Sequence, residues 1–107
     1  MSAAALLAGR HALVTGAGGG IGAAVVRALA DAGASVSVAG RRREPLEIVA
    51  TSLPAGAALV VDGFDVTDGK AIGRGLDCAR AAFGPISIEK DFSPVNKSTC
   101  LFSLPEG

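Results

Sequence analysis

"TGAGGGIG", Thr15 to Gly22, decides the fold of this 107-residue chain. It follows a short apolar run, "HALVT" (His11 to Thr15), and opens an amphipathic one. A strand that turns directly into a helix leaves the helix's first N–H groups unpaired and pointing outward. The helix dipole adds partial positive charge at the same place, so a pyrophosphate is well placed there. Glycines let the backbone approach such a group closely and adopt φ > 0 where the turn needs it. The candidate contacts are Gly16, Gly18, Gly19, Gly20, Ile21 and Gly22. The competing reading is a merely tight βα turn.

The rest of the first 88 residues alternates between short apolar runs and amphipathic segments. From Gly20 the spacing predicts a helix with Ile21, Ala24, Val25, Ala28 and Leu29 on its buried stripe, stopped by Gly33. "SVSVA" (Ser35 to Ala39) reads as a second strand. Pro45 suits the first turn of a second helix, with Leu46, Val49, Ala50 and Leu53 inward and Pro54 and Gly56 ending it. "AALVVDGF" (Ala57 to Phe64) reads as a third strand, bulged at Gly63. Asp68 caps a third helix whose stripe is Ile72, Leu76, Ala79 and Phe83. Gly84-Pro85 closes it, and "ISI" (Ile86 to Ile88) starts a fourth strand.

Strands joined by helices, with nearly continuous apolar strands, imply an α/β fold. The expectation is a Rossmann-type, doubly wound parallel sheet with helices on both faces, stopping after its fourth strand. After Ile88 the character changes. "EKDFSPVNKSTCLFSLPEG" has no Ala and no Arg, and it holds two of the chain's three Lys. The expected organisation is therefore 1–88 as part of a dinucleotide-binding domain and 89–107 as a divergent tail. The tail reads either as a flexible terminus or as foreign sequence replacing the fold's continuation.

Composition narrows the function classes. Net charge is zero at pH 7, so nothing points to nucleic acid or an anionic membrane. The longest charge-free run, His11 to Val26, contains five glycines and is too short to span a bilayer. The N-terminus has no basic residue before its apolar part, unlike a secretory signal. Cys78 and Cys100 lack metal-ligand spacing, and a reduced, cytoplasmic setting is expected. His11, the only histidine, has no evident Asp or Ser partner and is assigned no catalytic role.

Thr15, Gly16, Gly20, Ile21 and Gly22 match the pattern Thr-Gly-x-x-x-Gly-x-Gly. With "GRHALV", "AAVVRALADAGASV", "FDVTD" and "ARAAFGPISI", they make residues 8 to 88 resemble the short-chain dehydrogenase/reductase family. The resemblance implies a domain that binds NAD or NADP. Rossmann proteins that use NAD commonly place a carboxylate after the second strand, on the ribose 2′-hydroxyl. Here Gly40 takes that position and Arg41, Arg42 and Arg43 follow. Arginine binds a 2′-phosphate through a charge-assisted fork, so NADP is expected ahead of NAD, through Arg41 and then Arg42. The other reading is a solvated basic turn pairing with Glu44 or Glu47. Asp65 and Val66 match the family's Asp-Val pair, which contacts the adenine; the alternative for Asp65 is an Asx turn.

The resemblance also implies what this stretch lacks. The family's fourth strand leads into Asn-Asn-Ala-Gly, and a Ser and a Tyr-x-x-x-Lys pair follow much later. The Tyr is the acid or base, and the Lys lowers its pKa. This chain has no Tyr, and "EKDFSPVN" stands where the Asn motif should begin. No catalytic residue is assigned. The leading expectation is an NADP-binding part of a reductase, inactive alone. The alternatives are a half-enzyme completed by a second chain, or a non-catalytic interaction subunit. An unpaired fourth strand would favour self-association through the sheet edge.

Overall fold

A computed structural model describes residues 6–17 and 20–91. The elements are β1 (His11–Thr15), α1 (Gly20–Asp31), β2 (Ser35–Ala39), α2 (Arg43–Thr51), β3 (Ala58–Val61), α3 (Gly69–Phe83) and β4 (Ile88–Asp91). All four strands are parallel and lie in the order β3-β2-β1-β4. Parallel neighbours need crossover connections, which the three helices supply. The register sets Thr15 beside Ala39 on one side and Asp91 on the other, so the carboxyl ends of the strands line up.

Strand alternation splits the core into two layers. Val14, Val36 and Val38 face α1 and α2, where they meet Ala23, Val26, Leu46 and Val49. Leu13, Ala39 and Val61 face α3 and pack with Leu76, Phe64 and Val66. Each such Val or Leu contributes roughly 1.5–3 kcal/mol on burial. The helices thus cover both faces, two on one side and one on the other. Among the described residues, no helix is long and apolar enough to cross a membrane.

The sequence-based expectations need four corrections. The buried residues of α1 are Gly22, Ala23 and Val26, whereas Ile21, Ala24 and Ala28 are exposed. The helix is rotated by about one position because Gly22 must press against the turn after β1. A Cβ there would lie 2.5 Å from the Gly16 carbonyl oxygen. β3 ends at Val61, and Gly63 sits not in a bulge but in a turn at φ +67°. β4 starts at Ile88 rather than Ile86, so it runs into the segment whose composition changes. His11 has a serine partner after all, on β2: Nε2 lies 2.8 Å from Ser37 Oγ.

His11 is buried at the amino end of β1, and its Nδ1 lies 2.9 Å from the Gly84 carbonyl oxygen. A carbonyl only accepts, so Nδ1 carries the proton of that bond, and Nε2 shares the other with the Ser37 hydroxyl. Phe83 meets the ring edge-on at a centroid distance of 5.3 Å. The cluster ties β1, β2 and the end of α3 together.

Helix ends follow the expected chemistry. Gly33 takes φ +98° after α1, and Ala34 N donates to Leu29 O at 3.1 Å. Asp68 caps α3 by accepting from Lys70 N and Ala71 N. Gly75 was not singled out by the sequence, yet α3 depends on it. A Cβ there would lie 2.2 Å from Cδ2 of the buried Phe64 ring. Gly73 on the same helix is exposed, and a Cβ there meets nothing within 4 Å. Gly73→Ala should therefore raise unfolding free energy by about 0.5–1 kcal/mol through helix propensity. Gly75→Ala should lower it by about 1–3 kcal/mol through overpacking. Urea denaturation of both variants checks the opposite signs.

Candidate cofactor site

The turn after β1 begins with Gly16 at φ +67°, and Gly16 N donates to Ala39 O at 3.1 Å. Gly22 closes the turn by its contact with Gly16. Gly20, at the start of α1, has open space where its Cβ would project. Among the described residues nothing would block an approach to the chain at that point. Ile21 beside it is 73% exposed, too open to be a core residue. Gly18 and Gly19 lie outside the described residues.

Backbone hydrogen bonds lash the loops after β2 and β3 together. Gly40 N donates to Val61 O at 3.2 Å, Phe64 N to Gly40 O at 3.0 Å, and Gly63 N to Arg41 O at 3.3 Å. These bonds bring Arg41 near Asp65, although more than twenty residues separate the two in sequence. A Cβ at Gly40 would lie 3.2 Å from Cδ2 of the buried Leu46. A carboxylate side chain at position 40 would need Leu46 to give way.

The three arginines divide by environment. Arg43 bonds Glu47 through Nε, and its Nη1 lies 3.4 Å from Asp62 Oδ1. Arg41 and Arg42 are exposed and make no ion pair among the described residues. Arg42 is also the N-cap of α2, in extended conformation, and provides no side-chain capping bond. Cations before a helix N-terminus oppose its dipole by roughly 0.3–1 kcal/mol each at an exposed surface. That cost falls when an anion sits between them.

Asp65 Oδ1 accepts from Thr67 N at 2.9 Å and from Thr67 Oγ1 at 2.6 Å. The Thr67 hydroxyl, then its N–H, holds the carboxyl below its ordinary value of 3.8 against slight desolvation, and the Arg41 charge adds a smaller pull. The Asx turn weighed against binding is therefore present, but it occupies one oxygen. Asp65 Oδ2 and the Val66 N–H make no hydrogen bond among the described residues, while the Val66 side chain is buried. One acceptor and one donor remain side by side. Thr67 went unrecognised in the sequence; its position two residues after an Asp was the available signal.

Three of the four strands thus bring their carboxyl-end residues to one side of the sheet, and His11 lies at the other end. The profile of the short chain dehydrogenase family matches residues 10–88, and the chain belongs to that family. Glycine betaine reductase of Emericella nidulans is 43% identical over 83 residues, which cover 77% of this chain and 6% of the relative. A 3-ketoacyl-(acyl-carrier-protein) reductase of Brucella melitensis, solved with NADH, superposes with a TM-score of 0.72. It is 32% identical, over 78% of this chain and 34% of that one. The C-domain of a bacterial malonyl-CoA reductase, solved with NADP, gives a TM-score of 0.80 at 26% identity. That match covers 87% of this chain and 16% of the other. The chain spans about a third or less of each of these proteins.

Because the folded pKa of Asp65 is depressed, its Thr67 bonds stabilise the loop fully above the ordinary carboxylate pKa. The contribution is lost as pH falls through the lowered value. Thr67→Val, which removes the hydroxyl, should move the Asp65 pKa upward. Side-chain NMR titration of Asp65 in both proteins measures the shift, and an unchanged midpoint would contradict the assignment.

Proposed function

We propose that this chain is an NADP(H)-binding part of a short-chain oxidoreductase and that the 107 residues alone turn over no carbonyl substrate. The observation that carries the reading is the pair of guanidinium groups, Arg41 and Arg42, without an ion pair among the described residues, beside a glycine at the position where NAD users carry a carboxylate. Gly16, Gly18, Gly19, Gly20, Ile21 and Gly22 would hold the pyrophosphate, Arg41 and Arg42 the 2′-phosphate, and Asp65 and Val66 the adenine. The open space at Gly20, the start of α2 without a side-chain cap, and the Asp65 Oδ2 and Val66 N–H, which have no partner among the described residues, fit that cofactor. Related structures contain both NADP and NADH, so the preference rests on this chain's own residues.

When bound, the cofactor supplies a hydride. Carbonyl reduction also needs a proton at the forming alkoxide, and a placed general acid is typically worth about 10²–10⁴-fold. The chain has no Tyr to supply it. In this reading residues 1–88 are the cofactor-binding part and 89–107 a divergent tail, with β4 crossing the boundary. β4 ends the sheet among the described residues, which supports self-association through its outer edge. The exposed free thiol of Cys78 suits a reducing, cytoplasmic compartment.

Arg41→Ala should weaken NADP(H) binding by about 1.5–3 kcal/mol, the scale of a charged hydrogen bond, and leave NAD(H) nearly unchanged. Calorimetric titration with both cofactors measures this; equal losses would reject the 2′-phosphate role. Pure protein with NADPH and a panel of ketones should show no turnover above background. Stereospecific NADPH oxidation on any of them would overturn the inactivity.

A further inference from the structure

A cavity of about 340 Å³ opens between α1 and α2. Its size falls in the range of small-molecule sites, about 300–1,000 Å³. Gly20, Ala23 and Arg27 line one wall, and Arg42, Glu44 and Ile48 line the other. The first three are spaced i, i+3, i+7, so they share one face of α1. Side chains on a helix lean towards its N-terminus. Arg27 shares that wall with two small residues, Ala23 and Gly20, which leave space on its N-terminal side. Arg42 enters from the start of α2, whose N-cap supplies no side-chain bond. Arg27 and Arg42 make no ion pair among the described residues, although Glu44 shares the cavity.

We infer that Arg27 is a second specificity residue for the cofactor's 2′-phosphate, reaching it from α1 while Arg42 reaches it from α2. This rests on the NADP reading above and extends it to a residue on a different element. Two guanidinium groups against one carboxylate leave a net positive cavity, and a phosphate monoester dianion matches that charge. A planar guanidinium meets phosphate oxygens through paired N–H bonds, which an ammonium does not reproduce. A 2′-hydroxyl carries no charge and gains little from either arginine, so the cavity discriminates between the two nucleotides.

The test is calorimetric titration of the full chain with 2′,5′-ADP and with 5′-ADP. The wild-type chain should prefer 2′,5′-ADP. Arg27→Ala should weaken 2′,5′-ADP roughly tenfold, the scale of one charged hydrogen bond, and leave 5′-ADP within about twofold. Arg27→Lys should recover only part of the loss, because charge returns without the fork. Arg74→Ala, an exposed site on α3 across the sheet, removes the same charge and should change neither ligand. Arg27 is exposed, so its replacements keep the fold, which circular dichroism verifies. A wild-type chain without preference for 2′,5′-ADP would overturn the NADP reading and this inference together. A preference that Arg42→Ala weakens and Arg27→Ala does not would overturn this inference alone.

Discussion

The close approach of Gly22 to the Gly16 carbonyl is the constraint on which the rest of the site depends. With 2.5 Å between that oxygen and the place a Cβ would occupy, only glycine lets α1 start so near β1. The contact fixes the rotation of α1 about its axis. Ala23 and Val26 then turn into the core, Ile21 turns out, and Gly20, Ala23 and Arg27 face α2. The apolar pattern alone gives a different rotation, because Ile21, Ala24, Val25, Ala28 and Leu29 also form a helical stripe. A backbone contact that admits no movement outweighs the burial of one isoleucine, worth roughly 1.5–3 kcal/mol.

A second constraint acts across the sheet. Parallel strands in register bring their carboxyl ends level, and the hydrogen bonds among Ala39, Gly40, Arg41, Val61, Gly63 and Phe64 hold the loops beyond them. The result sets a cationic loop beside a carboxylate loop. Their mutual influence is small, since the largest effect on Asp65 comes from its own neighbour Thr67 rather than from Arg41. Among the described residues, Arg41, Arg42 and Asp65 Oδ2 keep no ion pair or hydrogen bond. Arg43 is the exception: it bonds Glu47 within α2, and its contact with Asp62 joins the start of α2 to the residue after β3.

The opposite end of the sheet carries polar groups of another kind. His11, Ser37 and the Gly84 carbonyl satisfy one another inside the protein. A buried polar group without a partner costs about 1–3 kcal/mol, so such a set persists only when complete. Its place at the amino ends of the strands separates it from their carboxyl ends, outside which ligands of an open α/β sheet bind.

The order of elements, the parallel sheet, the Asp68 cap and the glycine turn between β1 and α1 were all legible in the sequence. Each depends on local spacing: apolar runs, a glycine cluster between strand and helix, a carboxylate before a helix. The phase of α1, the Ser37 partner of His11, the need for glycine at 75 and the place of Arg27 beside Arg42 were not. Each of these depends on a contact between segments distant in the chain. Local propensity assigns a residue to a helix or a strand. Which side of that element meets which neighbour is decided only when the elements pack, because steric fit and hydrogen-bond pairing act through space rather than along the chain.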